Sequence, residues 1–267
     1  MTDNFPTKPQ QFIKDLNDFD SNEESLHMAV STKNIDRLKD LRIKNLWLIG
    51  ANDKELRRIL QLVDLQYLNL YQVLAKDLTV LETQTSPNTI ILNWNTKATE
   101  LWDISKNKNL CTLEITDFSK INEINQLSSA TQICNLVVGG GHNTPLKIKT
   151  LEPLSNLINL EYLGLTNIKV EDDTLKYLGV LKSLKLLEIS NQFEAKEYAW
   201  LATRLTDTAC KMFQAVNPCN IIGVDNQTVW DTMVTGRRKP FLLSTKDQER
   251  INKYVKEFER LKNELAD

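Results

Sequence analysis

A short apolar pattern recurs along the middle of this chain, and it constrains the possible folds more than any other feature of the sequence. Apolar residues occupy its first, fourth and sixth positions. The copies begin at Ile43, Leu65, Pro87 (the weakest copy), Leu110, Ile133, Leu160 and Leu184. Successive copies are 22, 22, 23, 23, 27 and 24 residues apart. This period is too long for a coiled-coil heptad and too short for a repeat of two helices.

The spacing within each copy predicts one strand per repeat. Apolar residues at alternate positions, such as Leu46 and Leu48, have the period of a strand and not of a helix. Apolar residues also recur six and three residues before several copies, for example at Leu154 and Leu157, which predicts a short return segment with one inward face. Because a single coil cannot enclose a core, neighbouring coils are expected to stack into a solenoid.

Residues 43–192 resemble a leucine-rich repeat domain, nearest in period to the bacterial type of about 22 residues. The resemblance implies an α/β solenoid with a curved parallel β-sheet on its concave side. The ninth position of each repeat departs from the family, which usually places Asn there to hydrogen-bond the turn; only Asn95 fits. The other ninth residues are Ala51, Val73, Phe118, Gly141, Ile168 and Gln192. Turn geometry and curvature are therefore expected to be irregular.

A stacked solenoid exposes an apolar face at each end, so caps are expected on both sides of the repeats. Phe12, Leu16 and Phe19 have helical spacing near the start, and Ile251 and Tyr254 begin a helical pattern near the end. We predict three parts: an N-terminal helical cap at 1–42, a solenoid of about seven repeats at 43–192, and a C-terminal cap with a terminal amphipathic helix at 193–267.

The chain shows no motif for catalysis, for a cofactor or for a metal ion. Its two histidines, His27 and His142, lie far apart, and no cluster of His, Cys and carboxylates has metal-ligand spacing. The run Gly139–Gly141 before His142 lacks the Lys-Ser/Thr of a phosphate loop, so we interpret it as a backbone device, with a ligand-contacting loop as the alternative. We predict that the protein is not an enzyme. An enzyme that uses a cysteine or His142 is the remote alternative.

Cysteine usage and the start of the chain bear on the cellular compartment. Residues 1–8 carry no secretory signal, and no stretch of about 18 apolar residues is present to span a membrane. The four cysteines, which form no CxxC pair, are Cys111, Cys134, Cys210 and Cys219. Reduced thiols in an intracellular protein account for them. We therefore expect a cytoplasmic protein.

The concave face of the predicted sheet is the candidate binding surface. Side chains at positions 3, 5 and 7 of each repeat should project from it, since alternate residues of a strand face opposite sides. None of these is Lys or Arg, which disfavours nucleic acid on this face. Its aromatic residues either anchor a partner, as in protein-binding hot spots, or are covered by the N-terminal cap and by one another. The candidate contact residues are Trp47, Tyr67, Asn69, Tyr71, Ile91, Asn93, Trp94, Glu114, Tyr162 and Glu188.

These features predict a non-catalytic protein-binding module with an unidentified protein partner. The architecture also suggests an inhibitor or immunity protein, in which case the partner is a toxin. The overall charge of −2 excludes a strongly basic nucleic-acid binder. As an alternative, a scaffold could dock nucleic acid, a membrane or a partner through the basic stretch Arg237, Arg238 and Lys239.

Overall fold

A computed structural model describes residues 5–224 and 227–266 of the chain. Nine parallel strands form one sheet, and each is hydrogen-bonded to the next along the chain except where two small strands intervene. Its strands are β1 (Ile13–Asp15), β2 (Ser25–Lys33), β3 (Asn45–Ala51), β4 (Tyr67–Val73), β5 (Thr89–Asn95), β6 (Thr112–Phe118), β7 (Asn135–Gly139), β9 (Tyr162–Thr166) and β11 (Leu186–Ile189). The intervening strands β8 (Leu146–Ile148) and β10 (Ile168–Val170) pair with each other. One strand per repeat confirms the leucine-rich repeat solenoid.

Leucines at equivalent repeat positions stack in columns behind the sheet. Leu46 is paired in register with Leu68, and Leu48 with Leu70. All four side chains are fully buried, as predicted for positions 4 and 6. A fully buried Leu contributes roughly 2 kcal/mol relative to an exposed one, so the columns supply much of the stability of each coil.

The return segments are short helices. α1 (Asp53–Leu60) is an α-helix and starts with a capping box in which Asn52 and Glu55 hydrogen-bond each other's backbone. Most other repeats return through a single turn of 3-10 helix, such as Lys176–Val180. A repeat of about 22 residues leaves little chain for the return once the strand is formed, which favours these short helices.

Each coil turns out of the sheet at the eighth repeat position. The backbone there is left-handed in five repeats, with φ between 46° and 64° at Gly50, Gln72, Trp94, Asp117 and Asn167. Side chains other than glycine rarely adopt this conformation, because the Cβ atom crowds the following carbonyl oxygen. The eighth position is therefore a fixed corner of the solenoid.

The ninth position points into the core just after this corner. The amide nitrogen of Asn95 donates to the carbonyl oxygen of Ala75 at 2.9 Å. Its oxygen accepts from the backbone nitrogens of Lys97 at 2.7 Å and of Ala98 at 2.8 Å. Asn95 thus has the turn-bonding role that the family resemblance implies. In other repeats, a buried apolar residue such as Phe118 packs there instead.

A second set of amides holds the return segments together. The Nδ2 of the fully buried Asn107 donates to the carbonyl oxygens of Leu81 at 2.8 Å and Gln84 at 2.5 Å, both in the preceding coil. The Oδ1 of Asn107 accepts from Nε1 of the buried Trp102 at 2.6 Å. Gln132, in the next coil, donates to the Asn107 carbonyl oxygen at 3.1 Å. These bonds tie the return segments of three successive coils to one another.

The prediction of a helical N-terminal cap is wrong. Residues 13–40 form β1, β2 and short 3-10 helices, and β2 pairs in register with β3. Leu26 and Met28 are both fully buried, which is the alternation of a strand. The first four residues of the predicted cap lie outside the described part of the chain.

The C-terminal region contains the two expected helices, α2 (Ala195–Arg204) and α3 (Gln248–Glu264). Between them lies an unpredicted antiparallel sheet formed by β12 (Val216–Ile222), β13 (Thr228–Val234) and β14 (Phe241–Leu242). Arg237, in the turn before β14, bonds both carboxylate oxygens of Asp173 at 2.8 and 2.9 Å, and also Glu194 at 3.2 Å. In the described part of the chain, no helix is long and apolar enough to cross a membrane.

Candidate functional site

The sheet face is the surface formed by side chains at positions 3, 5 and 7 of the strands, on the side away from the leucine columns. The pairing register aligns one fifth-position residue from each of eight neighbouring strands. In order from β2 to β11 they are His27, Trp47, Asn69, Ile91, Glu114, Val137, Gly164 and Glu188. The row changes from aromatic and apolar at one end to acidic at the other.

Three of the predicted contact residues form a buried aromatic cluster near the N-terminal end of the sheet face. Trp47 and Tyr67 are each 5% exposed and Ile91 is 9% exposed. The Trp47 and Tyr67 ring centres are 4.9 Å apart, and Phe5 packs against the cluster with its ring centre 6.2 Å from that of Tyr67. Burial raises the pKa of Tyr67 above its ordinary value. These three side chains are therefore not free to anchor a partner. They are covered by the N-terminal part of the chain and by one another, which is the alternative interpretation of the sequence, although the covering segment is not a helix.

The cover is an N-terminal strap, residues 5–12. Phe5 contacts the cluster, and Phe12 meets the His27 ring edge-on at 4.9 Å. Pro9, Ser25 and His27 line one groove of about 400 Å³. The strap therefore runs from β4, which carries Tyr67, towards β2. Among the described residues, no backbone–backbone hydrogen bond joins the strap to the sheet, so side-chain packing holds it.

His27 lies under the strap in an environment that favours its neutral form. Neither ring nitrogen is solvent-accessible or has a hydrogen-bond partner of good geometry among the described residues. Burial, followed by the positive charge of Lys8, lowers the pKa of His27 below its ordinary value of 6.5, and the nearby Pro9 carbonyl opposes this only in part. The same groove is also lined by carboxylates, namely Asp18, Asp20 and Glu23.

Acidification should therefore destabilise the fold through His27. In the unfolded chain His27 takes up a proton as the pH falls through about 6.5, whereas in the folded protein it resists protonation. Its contribution to the free energy of unfolding is therefore complete above about pH 6.5 and declines below it. When the pH is lowered from about 7.5 to about 5, the urea midpoint of unfolding should fall further for the wild type than for His27→Gln. His142→Gln, which alters an exposed histidine, is the control and should behave as the wild type. An equal decrease of the urea midpoint in His27→Gln would contradict the assignment of the acid destabilisation to His27.

A second aromatic group stands exposed at the carboxyl ends of β4 and β5. Tyr71 is 43% exposed and Trp94 is 36% exposed. Their ring centres lie 5.7 Å apart in an edge-on arrangement. Trp94 occupies a left-handed corner, and Leu74, just after β4, is also exposed. We call Tyr71 and Trp94 the exposed aromatic pair.

Two predicted polar contact residues support their neighbours. Asn69 donates from Nδ2 to the hydroxyl oxygen of Tyr67 at 3.2 Å. Asn93 donates from Nδ2 to Oγ1 of Thr116 at 2.8 Å. Both asparagines remain partly exposed.

The C-terminal half of the sheet face is acidic. Burial raises the pKa of Glu114 above its ordinary value. The Tyr162 hydroxyl donates to Oε2 of Glu188 at 2.5 Å; burial and then this bond raise the pKa of Tyr162. No Lys or Arg stands at positions 3, 5 or 7 of the seven predicted repeats. A cationic group on a partner would therefore meet carboxylates without a competing cation on this face.

The basic stretch predicted as an alternative contact is a tight turn and not a free tail. Arg237 is paired with Asp173 and Glu194. Lys239 lies over the ring of Tyr254 at 5.4 Å, and Arg238 is exposed at a left-handed position. Two of the three cations are therefore already engaged within the chain.

The glycine run packs tightly against the neighbouring coil. A Cβ atom on Gly140 would lie 2.4 Å from the carbonyl oxygen of Thr144, 2.5 Å from that of Asn167 and 2.6 Å from the nitrogen of Leu146. The backbone of this loop thus approaches its neighbours more closely than any side chain would permit, whereas His142 is exposed. This packing supports the interpretation of the run as a backbone device.

Two of the four thiols, those of Cys134 and Cys210, are poorly suited to nucleophilic chemistry. Burial, with the neighbouring Cys111, raises the pKa of Cys134 to about 11, and burial raises that of Cys210 to about 11. Both therefore stay protonated at neutral pH, and the thiolate is the reactive form. Within residues 5–224 and 227–266, no group of three or more His, Cys, Asp and Glu side chains could hold a metal ion.

Sequence reasoning missed Phe5 and His27 as parts of this surface. Phe5 precedes the repeats and belongs to no periodic pattern; its only signal is an aromatic residue in a polar stretch. His27 was open to detection, since the alternation of Leu26 and Met28 marks it as outward-facing on a strand.

Comparison with known proteins gives similarity only among solved structures. No protein-family model and no curated protein matches the chain. It is similar to internalin C2 of Listeria monocytogenes, with 21% identity and a TM-score of 0.45 over 59% of this chain and 64% of that chain. It is also similar to the internalin inlF of that organism, with 17% identity and a TM-score of 0.47 over 70% of this chain and 66% of that chain. The chain thus spans just under two thirds of either internalin.

Proposed function

We propose that this chain is a non-catalytic protein-binding module and that its partner contacts the sheet face. The exposed aromatic pair carries the proposal. Tyr71 and Trp94 contact each other but are not part of the core, and together they expose a large amphipathic surface. Rigid aromatic side chains lose little conformational entropy on binding, which is why they dominate protein-binding hot spots.

The extent and charge of the sheet face support a protein partner. Nine strands about 4.8 Å apart span roughly 38 Å, which suffices for an interface of about 800 Å² per partner. Glu114, beside Ile91 in the fifth-position row, and Glu188, on the last strand, provide negative charge on the sheet face. A partner with a basic surface would match them, whereas the phosphates of a nucleic acid would be repelled.

The absence of catalysis is part of the proposal. The protonated thiols of Cys134 and Cys210 and the exposed, isolated His142 support it, because nucleophilic catalysis needs a thiolate or a base held next to its nucleophile. An inhibitor or immunity role, with a toxin as partner, is the more specific form of the proposal. The four free cysteines support a reducing compartment, for which we propose the cytoplasm.

Substituting the exposed aromatic pair tests the proposed function. A partner is first captured by cross-linking in the source cells and purified, and its affinity is then measured by calorimetry. Tyr71→Ala with Trp94→Ala should weaken binding by about 10- to 100-fold, since removing a hot-spot aromatic typically costs about 1–3 kcal/mol.

Ile158→Ala with Val180→Ala is the matched control, because both residues are exposed and apolar but belong to return segments away from the sheet face. This variant should bind as the wild type does. Equal affinities of the two double variants would reject the sheet face as the binding surface.

A further inference from the structure

We propose that the N-terminal strap occupies the partner's place on the sheet face, and that the partner inserts an extended segment with an aromatic side chain in the position of Phe5 and a basic residue two residues before it. The inference deepens the proposed function and rests on it.

The first step is that Phe5 fills a site built by outward-facing residues. Trp47, Tyr67 and Ile91 stand at positions that project from the sheet, yet they are almost completely buried. They form a separate apolar cluster on the opposite side of the sheet from the main core. Apolar side chains on a sheet face are buried only when something covers them, and here the cover is Phe5.

The second step is that the strap is held weakly. It is joined to the sheet by side-chain packing at Phe5 and Phe12, without backbone–backbone hydrogen bonds among the described residues. Its cation, Lys8, raises the electrostatic cost of a proton on His27, whereas no cation among the described residues counteracts the raised pKa of Glu114. A segment with better charge placement would displace it.

The third step is the direction in which the strap crosses the strands of the sheet. The strap passes from Tyr67 on β4 at Phe5 to the groove beside His27 on β2 at Pro9. A segment that binds in the same direction therefore points its residues before the aromatic towards β5 and β6. Two strand spacings are about 10 Å, which two extended residues, about 7 Å, and the length of a Lys or Arg side chain together span. That distance reaches Glu114 on β6, in the same row as Trp47 and Ile91. Residues two apart also face the same side of an extended segment, so the cation and the aromatic both face the sheet.

Peptides supplied in trans test the proposal on the full-length protein. The first probe is a fluorescein-labelled peptide with the chain's own sequence from residue 2 to residue 10, TDNFPTKPQ. The second carries the change Asp3→Lys, which places a cation before the aromatic, and a third carries Phe5→Ala. Binding is measured by fluorescence anisotropy to the wild type and to Phe5→Ala protein, whose own strap lacks its anchor.

The expected result is at least tenfold tighter binding of the first peptide to the Phe5→Ala protein than to the wild type. The Asp3→Lys peptide should bind this variant more tightly still, and Glu114→Gln in the same protein should remove that advantage. The Phe5→Ala peptide should bind neither protein. Phe241→Ala protein is the control, since Phe241 is an exposed aromatic residue of β14 that contacts Trp230 and not the strap, and it should resemble the wild type. Phe5 lies outside the main core, so circular dichroism should show a folded variant, and Phe5→Leu provides a second one.

Equal binding of the first peptide to wild-type and Phe5→Ala protein would overturn strap occupancy. An Asp3→Lys peptide no tighter than the first, or an advantage that survives Glu114→Gln, would overturn the assignment of the basic residue. These failures are distinct from that of the proposed function. The peptides could bind as expected while replacing the exposed aromatic pair leaves the affinity of a purified partner unchanged. Conversely, replacing that pair could weaken partner binding while the peptides fail to bind.

Discussion

Replacing Asn107 with alanine is expected to lower the free energy of unfolding by about 3–5 kcal/mol. The fully buried amide bonds two carbonyl oxygens of the preceding coil and the indole nitrogen of Trp102. Without it, the Gln84 carbonyl oxygen and the Trp102 nitrogen lose these bonds in a dry interior, at about 1–3 kcal/mol each, and a small cavity adds to the loss. Since a domain is stable by only about 5–15 kcal/mol, the effect is large.

Urea unfolding measures this prediction, with Asn109→Ala as the matched control. Asn109 is two residues away and exposed, so its loss should change stability by no more than about 0.5 kcal/mol. The Asn107→Ala midpoint should lie far below both the wild type and the control. Coincident midpoints for the two variants would show that the amide bonds between coils contribute little.

The change Gly140→Ala is expected to cost about 3 kcal/mol or more. The new Cβ atom would lie within 2.6 Å of three backbone atoms, those of Thr144, Leu146 and Asn167, and backbone atoms cannot rotate away as a side chain does. Overpacking typically costs about 1–3 kcal/mol, and a clash with three rigid atoms belongs at or above the top of that range.

Gly50→Ala is the control, because it separates a clash from backbone strain. Gly50 is left-handed with φ of 64°, but a Cβ atom there meets nothing within 4 Å. Its cost should therefore be only about 1 kcal/mol, from the conformation alone. Thermal unfolding of both variants should give a much larger decrease in melting temperature for Gly140→Ala. Equal decreases would mean that the coil around Gly140 relaxes to admit a methyl group.

The repeats were predictable because strand formation and core packing depend on the same residues. Leu46 and Leu48 alternate in sequence, and the period of about 22 residues brings each pair beside the next in the sheet. The local preference and the long-range packing therefore agree, and the register follows from the leucines alone.

The N-terminal strands β1 and β2 were not predicted, because the local sequence pattern and the long-range packing disagree there. The residue that would begin the pattern before Leu26 is Glu23, so the copy is incomplete, and β2 precedes β3 at an offset of 20 residues. Phe12, Leu16 and Phe19 meanwhile have a spacing that fits a helix. Stacking on the edge of an existing sheet outweighs this weak local pattern, because β2 can bury Leu26 and Met28 against the neighbouring coil.

For the candidate site, the sequence indicated which side chains leave the sheet but not what lies over them. The outward positions of Tyr71 and Glu188 agree with their exposure, and Trp94 is exposed at a corner of the solenoid. Trp47 and Tyr67 have equally outward positions and are buried. The difference arises from Phe5, a residue 42 positions before Trp47 that belongs to no repeat. A tertiary contact of this kind has no periodic signature in the sequence.

The ion pairs of Arg237 bear on how such a stack comes apart. In a linear array each coil is held by two neighbours, except at the ends, where one interface alone opposes fraying. At the C-terminal end, opening β11 also requires separation of α2 and of the turn that Arg237 ties to Asp173 and Glu194. At the other end, β1 has three residues, and only side-chain packing holds the strap beyond it. We therefore expect progressive unzipping of the described coils to start on the side of β1, next to the aromatic cluster that the partner is proposed to enter.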